Sequence, residues 1–177
     1  IILKRFRQSI LAAACSGRLT SDFRDKRNFK PWRELSFGDV VISSFYGTRV
    51  GAKDYSESGT PTIRTTDMDF RGRIYLAESP RIKLSSKQLE RLGLEDGDLL
   101  VTRTGATIGK CALYAASMGP ALPSAYLIRF RLNKATIEPR FALFFLLASL
   151  GQAQLLGGST AVAQPNVNAK AISAFTL

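Results

Sequence analysis

Tyr126-Leu127-Ile128-Arg129-Phe130-Arg131-Leu132 is the stretch that decides how this chain folds. Tyr126, Ile128, Phe130 and Leu132 fall on one face of an extended segment, with Arg129 and Arg131 on the other, because successive strand side chains point to opposite sides. Outward from it lie further strand-like runs at Asp39–Phe45, Thr62–Thr66, Arg73–Ala77, Asp98–Arg103 and Ile108–Tyr114. Turns at Ser58-Gly59, Arg71-Gly72 and Asp96-Gly97 separate them. A short helix is expected over Ser86–Leu92, with Ser85 and Gln88 as its capping box and Gly93 as its stop. A longer helix starts near Pro139, a residue tolerated in a first turn, and runs to about Leu150; its apolar content marks it as a buried packing helix. A last helical turn begins at Asn166, read as its N-cap, before a strand-like Ser173–Leu177. Strands followed by helices without regular β-α-β alternation indicate an α+β fold with a mixed or antiparallel, β-rich sheet.

Residues 1–16 read as a helix: Leu3, Phe6, Ile10 and Ala13 recur at helical spacing, and Lys4, Arg5, Arg7 and Gln8 occupy other faces. Gly17 suits its C-cap. Two heptads fit either the end of a coiled coil or a terminal helix packed on its own domain. Residues 18–33 form a polar, basic connector ending at Pro31 and Trp32, which leaves 34–177 as the main domain.

The 177 residues are 45% hydrophobic, enough for one domain with an ordinary core. The first residue is Ile1, which points to a piece of a longer chain. Cys15 and Cys111 are far apart and form no C-x-x-C pair, so free thiols in a reducing cytoplasm are expected. No signal peptide is visible, and Phe141–Leu150 is about half the length of a membrane span, so a soluble chain is expected. The chain contains no histidine. That removes Ser-His-Asp and Cys-His catalysis, H-E-x-x-H zinc sites and any imidazole base. The acidic residues are turn-like (Asp96, Asp98) or scattered among bases and show no paired-carboxylate signature. Neither a cofactor nor a metal is expected.

A net charge of +11 favours a polyanionic partner. Residues 1–33 hold nine Lys/Arg against two Asp/Glu, whereas residues 34–177 hold sixteen against twelve, so most of the excess lies on the leading helix and connector. Arg103-Thr104-Gly105-Ala106-Thr107-Ile108-Gly109-Lys110 follows a strand and ends in Gly-Lys, as a phosphate loop does. Its glycines are one residue too close, Cys111 stands where a hydroxyl is needed, and a strand rather than a helix follows. A tight turn presenting Arg103, Thr104 and Lys110 to a backbone phosphate fits better. Gly47–Lys53 is a second glycine-rich basic loop, with Thr48, Arg49 and Lys53 beside Tyr46. Arg64 and Thr65 carry donors suited to phosphates or base edges, and Gln164 and Asn166 carry amides suited to adenine.

Gln8–Leu11, Ala14, Ser16-Gly17 and Leu19-Thr20 resemble the phrase K-Q-S-I-L-x-x-A-F-S-G-x-L-T, which ends the central conserved helix of type I restriction–modification specificity subunits, with Arg7 for lysine and Cys15 for phenylalanine. Trp32–Val40, Gly59–Arg64, Gly72–Ile74, Gly97–Leu100, the Arg103–Lys110 turn, Pro139–Leu150 and Gln164–Asn168 follow in that family's order. The resemblance implies a target-recognition domain over 34–177 behind the end of a spacer helix over 1–17. It implies no catalysis in the chain itself. Such a domain reads one half of a split site in double-stranded DNA; methylation and restriction subunits act on that address, and a second recognition domain can pair with this one. Phosphate contacts are then expected from Arg49, Lys53, Arg103 and Lys110. Base or mixed contacts are expected from Tyr46, Thr48, Arg64, Thr65, Gln164 and Asn166. Rival readings are an RNA-binding module, a protein adaptor acting through the leading helix, and a metal-dependent nuclease.

Overall fold

A computed structural model describes residues 2–30, 32–157 and 166–177. The alternating stretch forms strand β8 (Leu127–Leu132), with Tyr126 left in the turn before it. β8 lies between β1 (Val41–Tyr46) and β5 (Leu99–Thr102), and β6 (Cys111–Leu113) pairs with β5. The sheet is antiparallel throughout, in the order β1-β8-β5-β6. Ile128, Phe130 and Leu132 point to one side, where Leu99, Val101 and Cys111 join them against α4 (Pro139–Leu147). Phe37, in a 3-10 turn that replaces the expected start of the first strand, meets Phe130 edge-on at 5.4 Å.

The opposite face is covered by short strands that the sequence reading did not resolve. β2 (Tyr55–Ser56), β4 (Arg81–Ile82), β3 (Thr60–Ile63) and β7 (Leu122–Pro123) pair in the order β2-β4-β3-β7, with β3 and β7 parallel. Leu100, Ala112 and Leu127 of the main sheet pack there on Ile63, Met68 and Ala121. Arg129 and Arg131 therefore project into a covered face, where both need a counter-charge. Asp98 supplies it. Far from an ordinary turn residue, it is 1% exposed and takes Arg131 Nε and Nη2 at 3.0 Å each, with Arg129 Nη1 at 3.8 Å. Arg129 also stacks over Phe45 at 4.3 Å. A second buried carboxylate, Asp67, closes the turn after β3. Arg64 donates to it through Nε, Nη2 and its backbone N–H, and Ser79 through its hydroxyl.

α1 (Ile2–Cys15) ends at Gly17 in the left-handed conformation, as expected. Leu11 joins the α4 core, and Gln8 Nε2 donates to Leu147 O at 3.0 Å. Leu3, Phe6 and Ile10 face solvent instead, 83%, 63% and 41% exposed. The connector is not fully extended: α2 (Ser21–Lys26) forms within it, and Arg24 covers Trp32, whose ring meets Phe141 at 5.7 Å. α3 (Ser86–Leu92) has the expected Ser85/Gln88 capping box and Gly93 stop.

Five expectations need correction. Arg73–Ala77 forms no strand, only a bridge between Ile74 and Met68. The strand at 62–66 ends at Ile63, where Asp67 draws the chain into a 3-10 turn. The long helix breaks after Leu147, and α5 (Ser149–Gly157) leaves at 72°. Gly151 permits that bend: a Cβ there would lie 2.2 Å from Phe145 O. α6 (Ala169–Ser173) is capped by Asn168, not Asn166, through Ala171 N at 2.8 Å, and beyond it Thr176 makes only a single bridge to Ser36. Both cysteines are free, and burial pushes the Cys111 thiol well above its ordinary value. Among the described residues no single helix is long and apolar enough to cross a membrane.

Asp98→Ala leaves the buried Arg129 without its carboxylate, while Arg131 keeps Glu95, so we expect a loss of about 3 kcal/mol in urea unfolding, at the low end for a broken buried pair. A loss under about 1 kcal/mol would remove Asp98 from its central role. Burial would raise the Asp67 carboxyl, but the hydrogen bonds from Arg64 and Ser79 outweigh it and hold the group below its ordinary value. A depressed carboxylate contributes stability that is complete above its unfolded value and lost as pH falls through the folded one. Acid unfolding of Asp67→Asn should therefore be less steep below about pH 4 than that of the wild type; superimposable acid limbs would contradict this.

Candidate nucleic-acid interface

The antiparallel main sheet brings its loops out at two ends. At one end lie Val41, Leu132 and Leu99, with Asp98 beside them; at the other lie Tyr46, Leu127 and Thr102. The turn joining β5 to β6, the chain leaving β1 and the chain entering β8 all emerge at this second end. Most of the candidate residues stand on those three segments.

They interlock. Gly47 N donates to Leu127 O and Thr48 N to Pro123 O, both at 3.0 Å, so the chain after β1 runs alongside β7. Arg103 N donates to Tyr126 O at 3.1 Å, and the Arg103 guanidinium lies over the Tyr46 ring at 4.5 Å. Thr104 and Asn166 form an antiparallel bridge, with Val167 N on Arg103 O at 2.8 Å. The Tyr46 hydroxyl accepts from Ala169 N at 3.1 Å. Tyr46, Thr48, Arg103, Thr104 and Asn166 thus form one neighbourhood. Ser124 N donates to Ile63 O at 2.9 Å, which places Arg64 and Thr65 next to it. Lys110 Nζ donates to Thr65 O at 2.8 Å and lies 5.6 Å from the centre of the Phe70 ring.

These cations differ in what remains free. Arg64 is held by Asp67 and by the Glu78 carbonyl, and the Asp67 hydrogen bond raises its pKa further. Lys110 spends one of its three donors on Thr65. Arg103 is half-buried against Tyr46, and its Nε is buried without a partner. Arg49 and Lys53 are exposed on the stretch between β1 and β2 that follows Thr48. Gln164 lies outside the described residues.

The Arg103–Lys110 turn closes as a 3-10 turn over Gly105–Thr107 and enters β6, which agrees with the rejection of a phosphate loop. Its shape depends on a residue that no local sequence pattern links to it. Gln152 of α5 donates through Nε2 to Gly109 O at 2.9 Å and to Leu146 O at 2.6 Å, where the break between α4 and α5 leaves that carbonyl accessible. Gly109 has φ +96°, which favours glycine, and a Cβ there would lie 2.4 Å from Gln152 Oε1 and so displace the amide that holds the turn. The helix break was not visible in sequence, so nothing brought Gln152 to this turn. Tyr126 is a second addition: it is 60% exposed between Arg103 and the β7 segment. Among the described residues no group of three or more Cys, Asp or Glu side chains could hold a metal ion. The arrangement offers hydrogen-bond donors, amides and aromatic faces.

No family model matches the chain. It is 30% identical over 181 residues to the StySPI type I restriction enzyme specificity subunit of Salmonella potsdam, covering 99% of this chain and 38% of that protein. It is 30% identical over 180 residues to the EcoKI specificity subunit of Escherichia coli strain K12, covering 97% and 38%. The chain thus spans about 38% of the length of these curated relatives. A chain from a structure of type I restriction–modification complex assembly and conformational transition superposes with TM-score 0.63 at 15% identity, over 99% of this chain and 42% of that one. The HsdS subunit of Thermoanaerobacter tengcongensis superposes with TM-score 0.57 at 15% identity, over 98% and 41%. The chain is thus a homologue of type I restriction enzyme specificity subunits, of a length that suits a single domain of such a protein.

Proposed function

We propose that residues 34–177 are a target-recognition domain that reads one half of a bipartite site in double-stranded DNA, without performing chemistry, and so directs adenine methylation and restriction by partner subunits. The observation that carries this reading is the convergence of Tyr46, Thr48, Arg103, Thr104 and Asn166 at one end of the main sheet. Three separate segments meet there, each held by backbone hydrogen bonds, so their side chains are presented in a fixed relation. Fixed geometry is what base-edge hydrogen bonding demands. Arg103 and Lys110 flank the patch as phosphate contacts, and Arg49 and Lys53 extend it along the duplex. Homology to specificity subunits supports the same conclusion. α1 is the end of a spacer helix in this reading: its Leu3–Phe6–Ile10 stripe, unused by the domain, suits a second helix.

The test is duplex binding followed by fluorescence polarisation across salt concentrations, with a randomised-site library taken through selection. We expect a log–log salt slope equivalent to several phosphates and one enriched short motif. Arg103→Gln should weaken binding about tenfold and lower the slope by about 0.9. Gly109→Ala should weaken selection through the turn it distorts, without changing any side chain that faces DNA. A steep slope with no enriched motif would reduce the patch to a DNA-coating surface. Failure to bind, repeated with methylation subunits added, would overturn the reading in favour of an adaptor.

A further inference from the structure

Phe70 is 54% exposed, at the tip of the turn Asp69-Phe70-Arg71-Gly72-Arg73. A single exposed phenylalanine needs no explanation; this one is held out by a turn with little freedom. Asp69 Oδ1 accepts from Arg71 N at 2.8 Å and Arg73 N at 3.0 Å, and Oδ2 accepts from the Tyr75 hydroxyl at 3.1 Å. Asp69 N donates to Arg73 O at 3.1 Å. Beneath the turn, Gly72 lies on Leu143 and Leu147 of α4. The Asp69 charge is therefore spent inside the turn, while Arg71 and Arg73 are exposed on its outside. Two more cations close on it: Lys110 lies 5.6 Å from the centre of the Phe70 ring, and Arg7 of α1 reaches Arg71 O at 3.5 Å. An apolar ring between cations, on a rigid support, complements a phosphate-lined groove with base edges at its floor, where a ring can open a step.

We propose that the Asp69–Arg73 turn is a further contact with duplex DNA, in which the Phe70 ring wedges against a base step in the minor groove while Arg71 and Arg73 hold the flanking phosphates. It adjoins the interface described above, because Lys110 ties Thr65 to Phe70. The proposal rests on the DNA-reading function, and its test is arranged so that the two fail differently. The probe is the selected duplex with 2-aminopurine placed at successive positions across and beside the enriched motif. Wild-type protein should raise the fluorescence at one position, since a wedge unstacks its neighbour. Phe70→Ala should abolish that rise and weaken binding about tenfold, with its salt slope unchanged. Arg71→Gln with Arg73→Gln should lower the slope by about 2. Thermal unfolding of each variant, at the wild-type midpoint, separates these effects from lost folding; a variant that unfolds early is replaced by Phe70→Gln, which keeps length at this exposed position and removes the apolar wedge. If wild type selects a motif but all these variants match it, or no position brightens, the wedge is overturned and the DNA-reading function stands. If wild type binds no duplex, both fall.

Discussion

Two arginines on the covered side of one strand set the condition that the rest of this structure meets. β8 carries Arg129 and Arg131 into the space between the main sheet and the β2-β4-β3-β7 layer, where an unpaired guanidinium would be costly. Asp98 answers both from the start of β5, and its backbone is itself tied down: Asp98 N donates to Glu95 O and Tyr114 N to Asp98 O. Through its carboxylate and its backbone, Asp98 thus joins β8, β5 and the end of β6 at one end of the sheet. With that end locked by charge, the ladder fixes where the opposite end opens, and the candidate interface stands there. Removing the charge cluster would therefore act on the interface through the register of its supporting strands, with no contact between the two.

At the interface the same economy recurs in smaller pieces. Two of the presented cations lie on an aromatic ring or take a backbone carbonyl: Arg103 over Tyr46, Lys110 on Thr65 O and beside Phe70. Such partners restrict a long side chain's rotamers without neutralising it, as a carboxylate would. Arg64 shows the contrast. Its paired carboxylate, Asp67, makes it a structural residue of the turn after β3, with little charge left for a ligand. Gln152 plays the corresponding part for the backbone of the Arg103–Lys110 turn, reaching it from the helix break.

What the sequence revealed and what it hid divide along the range of the interactions. The β8 alternation, the Ser85/Gln88 cap and the end of α1 at Gly17 are decided by neighbours within a few residues, and each is found where the pattern puts it. The second sheet is built mostly from strands of two residues, too short to show a period. The helix break depends on Gly151 meeting the Phe145 carbonyl, inside a run that reads as uniformly apolar. Asn166 and Asn168 are equally good caps locally; Thr104, more than sixty residues away, takes the first and leaves the cap to the second. Residue type alone marked Arg64 as a donor for DNA, because Asp67 becomes its partner only once the chain turns after Ile63.

On the proposed function, the placement of charge divides the work of binding between two parts of the chain. Residues 34–177 carry sixteen Lys/Arg against twelve Asp/Glu, and of those cations Arg64, Arg129 and Arg131 are engaged by carboxylates in the fold. The domain keeps a modest excess of four cations, whereas residues 1–33 hold nine cations against two acids. Attraction to a polyanion that ignores sequence would come largely from the leading helix and connector. The sheet end would contribute a few oriented contacts whose value depends on geometry. Long-range attraction favours every duplex equally, so a domain that kept more of it would gain affinity and lose discrimination. On the proposed function, the pairing of Arg64, Arg129 and Arg131 with acids leaves the domain's net charge unchanged but holds these three guanidiniums inside the fold and away from direct phosphate contact.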